Sequence, residues 1–205
     1  MREVIKFAIK IMALIIYPIY LLYNLLIEPL IERIKLELII LKLKSNNAQI
    51  AGRLNIGKRV NISVGKNAKL VIGDKVFIGD DVYVKVRSNA TLIIGDNVNI
   101  NKGTRISAFE SILIGSNTLI ASYCNLLDHD HQFDLKSPAS TIAYDCSPII
   151  IKEGSWLGTK VQVNKGVTIG EFSVIAANAV VTKNVSGSCI YGGVPAKKIR
   201  CLEKK

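Results

Sequence analysis

The stretch IIGDNVNINKGTRI, Ile93 to Ile106, decides the fold, because Ile94, Ile100 and Ile106 recur at a step of six with small or polar residues between them. Working outward in both directions, the same step holds in six sets of three. They are Ile50, Ile56, Ile62; Ile72, Ile78, Val84; Ile94, Ile100, Ile106; Ile114, Ile120, Leu126; Ile151, Leu157, Val163; and Ile169, Ile175, Val181. The residue after a rung is often small, as at Gly57, Gly73, Gly79, Gly95, Gly115, Gly158 and Gly170, with Ala51, Ala121 and Ala176 in the same place. A six-residue unit is a short strand plus a turn, so three units close a triangular coil with one aliphatic side chain pointing inward from each side. A single coil cannot cover its own core, and stacking buries a continuous aliphatic column. The ladder therefore predicts an all-β solenoid of about six coils over residues 50–185. A β-sandwich does not keep one phase of six through eighteen rungs.

Between sets the spacing stretches to ten, ten, eight and then twenty-five residues before returning to six. Each stretch marks chain pushed out of the coil. The longest, residues 127–148, is the expected active-site loop, and it holds both histidines of the chain, His129 and His131, in the run LDHDHQFD.

The 205 residues are 49% hydrophobic and 21% charged, which suits one domain with an appendage and excludes disorder as the main description. A formal charge of +11 points to anionic partners such as phosphate groups, an acidic membrane face or nucleic acid. Cys124, Cys146, Cys189 and Cys201 show no C-x-x-C spacing, so four reduced, intracellular thiols and no structural metal site are expected.

Residues 1–49 form a separate segment almost without glycine. From Ile11 to Ile27 seventeen residues carry no charge, at the lower edge of what spans a hydrocarbon layer, and Pro18 and Asn24 are expected to interrupt them. No small-residue cleavage site follows, so a secretory leader is not expected. LIERIKLELIILKLK, Leu30 to Lys44, places Ile31, Ile34, Leu38 and Leu41 on one face and reads as an amphipathic helix. Residues 1–44 are read as lying in or on a membrane interface, with a helical cap over the coil as the plainer alternative.

The chain from Ile50 to Arg200 resembles the left-handed β-helix hexapeptide acyltransferases. The branch is that of the galactoside and maltose O-acetyltransferases and related polysaccharide O-acetyltransferases. The likeness rests on IGSNTLIASYCNLLDHDH (Ile114 to His131), GSWLGTKVQVNKGVTIGEFSVIAANAVVTKNV (Gly154 to Val185) and YGGVPAKKIR (Tyr191 to Arg200). It implies a left-handed coil, a homotrimer with active sites between subunits, acetyl-CoA as acyl donor and a saccharide acceptor.

The resemblance also implies site residues. Its general-base histidine lies sixteen residues after the glycine of the IG-x-N turn, which from Gly115 gives His131, with His129 two residues short. Its acceptor-binding asparagine lies thirty residues before that histidine: Asn101 in one register and Asn99 in the other. On the donor side it implies Trp156 and Thr159 near the thiol end of the cofactor, Ala177 against pantetheine, and Thr182 and Lys183 beside it. Lys197 and Arg200 are implied for its phosphates.

A sugar hydroxyl attacks a thioester only as its proton leaves, and an imidazole titrating near neutrality suits that work. His131 is the expected base, oriented by one of Asp128, Asp130 and Asp134, with Asn101 or backbone N–H groups holding the oxyanion. The expected activity is acetyl transfer from acetyl-CoA to a sugar hydroxyl of a cell-surface polysaccharide or its lipid-linked precursor, at the inner face of the cytoplasmic membrane. N-acetylation of an amino sugar nucleotide and a non-catalytic trimeric scaffold are the alternatives. A covalent route through Cys124 or Cys146 is weighed less, since an unpaired cysteine is more often a small buried hydrophobe. The basic C-terminal tail, residues 186–205, has only Tyr191 as a nearby aromatic, which counts against nucleic acid.

Overall fold

The computed structural model of the protein describes residues 1–46, 48–132 and 143–203. By internal contacts the chain divides into two compact units, Met1–Lys42 and Leu43–Lys205.

The second unit is the predicted solenoid. Its strands form three sheets of six, eight and six strands, and each carries one rung from every coil. On the first sheet Ile50 pairs with Ile72, Ile72 with Ile94, Ile94 with Ile114, Ile114 with Ile151 and Ile151 with Ile169. The other two sheets repeat the pattern through Ile56 to Ile175 and Ile62 to Val181. All eighteen rungs of the ladder thus occupy the expected column. From Ile72 onward the rungs are almost fully buried, with Ile78, Ile100, Ile120 and Leu157 at 0% exposure, whereas Ile50, Ile56 and Ile62 of the first coil are half-buried.

The small residue after each rung has a direct cause. A Cβ on Gly115 would lie 2.5 Å from the backbone nitrogen of Glu153, and one on Gly158 would lie 2.7 Å from that of Ala177. The next coil's backbone occupies the space that a side chain would need. A second inward rank lies two residues before each rung and includes Leu92, Val98, Thr104, Ile112, Thr118 and Cys124.

Within the C-terminal tail, Cys189–Gly192 and Lys197–Cys201 form strands. Cys189–Gly192 continues the second sheet in parallel with Val174–Ile175, and Lys197–Cys201 turns back antiparallel on it. That turn places Cys189 opposite Cys201, and a disulfide joins them, so the expectation of four free thiols is corrected to two, Cys124 and Cys146. A separation of 12 residues carries no local signal; the antiparallel register makes the pair.

The first unit is a continuous helix built from α1 (Arg2–Ile11), a π segment (Met12–Ile16), α2 (Tyr17–Leu22), a second π segment (Tyr23–Ile27) and α3 (Glu28–Ser45), whose last turn belongs to the coil unit. The expected interruptions do not occur. Pro18 has no N–H for the carbonyl four residues back, and the widened π turn before it, with Tyr17 N–H donating to Met12 O, gives the ring room. Asn24 donates its side-chain amide to the Tyr20 carbonyl at 2.8 Å within the helix. From Ile5 to Ser45 the helix is long and apolar enough to cross a membrane, with a mean hydropathy of 1.9 in its most apolar window.

The amphipathic reading of residues 30–44 needs correction. Ile31, Ile34, Leu38 and Leu41 do share an exposed face, but Leu36, Ile40 and Leu43 form a second apolar stripe that interrupts the polar side. The strongly one-sided helix is α1, where Lys6 pairs with Glu3 at 2.9 Å and Ile5 and Ile9 lie about one turn apart.

Candidate active site

The third sheet positions the histidines. Its strand Asn125–Leu127 stacks on Arg105–Ala108 with Leu127 opposite Ser107, so Asp128 falls above Ala108. The equivalent inward positions in earlier coils are Val64, Val86 and Ala108, which pair in register. An acid therefore stands in an aliphatic column, and Asp128 is fully buried.

Its carboxylate is satisfied by backbone. Phe109 N–H donates to Oδ1 at 2.8 Å and to Oδ2 at 3.0 Å, and Glu110 and Ser111 N–H both donate to Oδ2 at 2.8 Å. Oδ1 also lies 3.2 Å from His129 Nδ1. Alternation along a strand would point adjacent side chains apart, but the chain bends at Asp128, and that bend lets both groups converge. A carboxylate only accepts, so Nδ1 carries the proton and Nε2 presents its lone pair outward.

The His129 ring is stacked on Phe109 with centroids 3.6 Å apart, and its side chain is 13% exposed. Tyr144 closes the edge at 5.6 Å, and the Arg87 guanidinium lies 4.9 Å from the Tyr144 ring and 5.1 Å from Phe109. His131, two residues on, is exposed with its ring 4.7 Å from Tyr144. Both lie on a small hairpin, His129–His131 antiparallel to Tyr144–Cys146. Lys165 clamps that hairpin to the coil by pairing with Asp145 and, at 3.3 Å, with Asp130. Those hydrogen bonds hold the Lys165 ammonium above its usual pKa.

Of the three carboxylates named for the imidazole, Asp128 meets His129, Asp130 meets Lys165, and Asp134 lies outside the described residues. The geometry thus favours His129 where the family spacing favours His131. Asn101 stands at the turn after Asn99–Ile100, its N–H donating to Ile120 O on the next coil and its carbonyl accepting from Thr104.

Neither free thiol is an activated nucleophile. Cys124 donates its S–H to Gly158 O at 3.1 Å, and burial pushes its pKa up to about 11. Burial, with the charges of Asp128 and Glu110, also raises Cys146. Among the described residues no group of three His, Cys, Asp or Glu side chains could hold a metal ion.

The donor-side residues gather on the last two coils. Thr159 and Ala177 share a corner one coil apart, with Asn178 N–H donating to Thr159 O. Trp156, 51% exposed, starts a row across the second sheet that continues through Val174 and Ile190 to Arg200. At the usual strand spacing Arg200 lies roughly 15 Å from Trp156. The C-terminal turn is tied to the coil by Ala196 N–H to Val180 O and Val180 N–H to Gly193 O, which brings Lys197 toward Thr182 and Lys183. Trp156, Thr159, Ala177, Thr182, Lys183, Lys197 and Arg200 are all exposed, whereas Val174 and Ile190 between them are half-buried.

Phe109, Tyr144, Arg87 and Lys165 were not legible as site residues. The sequence left Asp128, Asp130 and Asp134 open, and the signal that singles out Asp128 is its place in a column where each preceding coil has an apolar residue.

Comparison with known proteins agrees with this architecture. Residues 148–183 match the family model described as bacterial transferase hexapeptide (six repeats). The hexapeptide repeats indicate that the solenoid is a left-handed β-helix, and the matched stretch is similar to the hexapeptide transferases. The chain is 35% identical over 109 residues to WbbJ of Escherichia coli, a candidate lipopolysaccharide biosynthesis O-acetyl transferase, covering 49% of this chain and 56% of the relative. It is 36% identical over 92 residues to the galactoside O-acetyltransferase of Escherichia coli, with 44% of each chain covered. A hexapeptide-repeat acetyltransferase of Vibrio cholerae, solved with acetyl coenzyme A, superposes with a TM-score of 0.54 at 26% identity, covering 83% of this chain and 79% of that one. The chain spans about half the length of the curated relatives it matches.

Proposed function

We propose that the protein is an acetyl-CoA-dependent O-acetyltransferase acting on a sugar hydroxyl, with His129 as general base. The observation that carries this is an imidazole held by a buried carboxylate at the rim of a hexapeptide coil. His129 Nε2 takes the proton as the hydroxyl oxygen attacks the thioester carbonyl. The imidazolium, paired with Asp128, is stabilised while the tetrahedral intermediate stands, and it returns the proton to the departing thiolate. No acyl-enzyme is formed, in keeping with two free thiols whose pKa values are raised. Asn101 is assigned to the acceptor or the oxyanion. Trp156, Thr159, Ala177, Thr182 and Lys183 line the donor, and Lys197 and Arg200 meet its phosphates.

The acceptor is read as a cell-surface polysaccharide or its lipid-linked precursor. The printed name of WbbJ and the exposed apolar helix support that reading, since a lipid-linked acceptor would have to be met at a membrane. On the same reading the enzyme works at the inner face of the cytoplasmic membrane, where acetyl-CoA is available, as a homotrimer completing each site between subunits. No part is assigned to nucleic acid.

The test uses radiolabelled acetyl-CoA with a panel of hydroxyl and amine acceptors. Label transfer to a hydroxyl acceptor that His129→Ala loses at least a hundredfold, with His131→Ala close to wild type, supports the reading. The reverse pattern returns the base to His131. A folded protein that shows no thermal shift with millimolar acetyl-CoA would leave the scaffold as the better account.

A further inference from the structure

The charge of +11 is not spread along the coil. Residues 51–75, the first coil and the start of the second, hold six cations, Arg53, Lys58, Arg59, Lys66, Lys69 and Lys75, against the single carboxylate of Asp74. The following 110 residues, 76–185, hold nine cations against ten carboxylates.

All six cations are exposed. Arg59 is paired with Asp81 of the next coil at 2.6 Å. Arg53, Lys66, Lys69 and Lys75 have no carboxylate within 4.0 Å among the described residues. Asp74 faces this group as a carboxylate, its Oδ1 accepting the Arg53 backbone N–H at 2.8 Å and its pKa held down by that bond and by the charges of Arg53 and Lys75, so it offsets one cation of the six. The same coil is where the aliphatic rungs are half-buried, with Val60 and Val64 half-buried beside Ile56 and Ile62. Its chain enters directly from the apolar helix, through the buried Leu43 and Ala48. A basic rim around incompletely covered aliphatics, joined to a long apolar helix, has the chemistry of a surface that rests on anionic head groups.

We propose that the first coil is a docking surface for an anionic phospholipid membrane. The proposal rests on the membrane reading of residues 1–44 and adds to it. The helix supplies apolar attachment that is indifferent to head-group charge, and the coil supplies selection for an acidic leaflet. The coil is then held by two signals, one apolar and one electrostatic.

The test is co-flotation of the full chain with vesicles of phosphatidylcholine and with vesicles of phosphatidylcholine plus phosphatidylglycerol, at limiting lipid and across a salt series. The wild type is expected to partition more strongly onto the acidic vesicles, by a margin that shrinks as salt shortens the screening length. Replacing Arg53→Gln, Lys66→Gln, Lys69→Gln and Lys75→Gln together should reduce that margin by roughly fivefold per cation removed, at about 1 kcal/mol each, and leave binding to phosphatidylcholine unchanged. A cooperative melt and an unchanged thermal shift with acetyl-CoA show that the variant is folded.

Equal wild-type partition onto both vesicles overturns the docking surface and leaves the helix reading standing. A folded variant that keeps the full preference also overturns it. Binding to neither vesicle overturns both readings. If a short RNA competes the protein off acidic vesicles and the variant loses that RNA, the surface belongs to nucleic acid and the proposal fails.

Discussion

The informative residues are those whose chemistry disagrees with their position. Asp128 is an acid in a column otherwise filled by Val86 and Ala108, and it is tolerated because three backbone N–H groups and one imidazole converge on it. Asp128→Asn keeps the volume and one acceptor oxygen, so the protein should fold, with kcat falling by more than tenfold because the imidazolium formed during transfer loses its counter-charge. Asp128→Ala leaves buried N–H groups without acceptors, and a loss of several kcal/mol in a denaturant melt is expected, at about 1–3 kcal/mol per group. Cys124 is the second such residue. Its pKa is raised to about 11 from 9.0, so above pH 9 the unfolded chain releases a proton that the native chain retains. Stability from this group is therefore full below pH 9 and is lost as pH rises toward 11, by up to about 3 kcal/mol. Urea melts of wild type and Cys124→Ala compared across that window should converge as pH rises; parallel curves would show that the thiol does not titrate differently in the two states.

At the scale of elements, the hairpin bearing the histidines is two three-residue strands outside the coil's own ladders. Its tie to the coil includes Lys165, which bridges a carboxylate on each strand. Lys165→Met should loosen the hairpin without unfolding the coil. The expected signs are faster hydrogen exchange at residues 129–131 and 144–146 with little change in Tm, and a loss in kcat larger than the change in KM for acetyl-CoA. A uniform drop in Tm would show that Lys165 serves the coil instead. Gly158→Ala addresses the ladder itself, since its Cβ would meet the Ala177 backbone nitrogen at 2.7 Å. Two coils would have to part at the corner bearing Thr159, so both Tm and coenzyme A affinity should fall.

Along the coil unit, only the first coil's rungs are incompletely buried. Leu157 is at 0% exposure between neighbours on both sides, whereas Ile56 in the first coil is half-buried. Leu157→Ala should cost about 2–5 kcal/mol and Ile56→Ala distinctly less, because a nearest-neighbour stack holds each interior rung from two sides and an end rung from one. Equal costs would show that the first coil is covered as fully as the rest. The repeat is where sequence alone was decisive. A period of six with aliphatic rungs and small followers predetermines which residues face inward, since rungs placed one, two or three residues later would fall on Lys85, Lys102 or Lys75. The column of eighteen rungs was therefore legible in the sequence. The length and apolar character of residues 1–45 were legible too, although the π turns that carry the helix past Pro18 were not, because a proline's effect depends on how the preceding turn relaxes. Tertiary structure decided what depends on residues distant in the chain. Phe109 and Tyr144 meet His129 only because the third sheet stacks residue 108 beneath residue 128 and a hairpin returns residue 144. Cys189 meets Cys201 only because the chain turns back antiparallel. Local spacing specifies a repeating backbone, but a site built across coils is set by register and insertion, which pair residues that no short window of sequence contains.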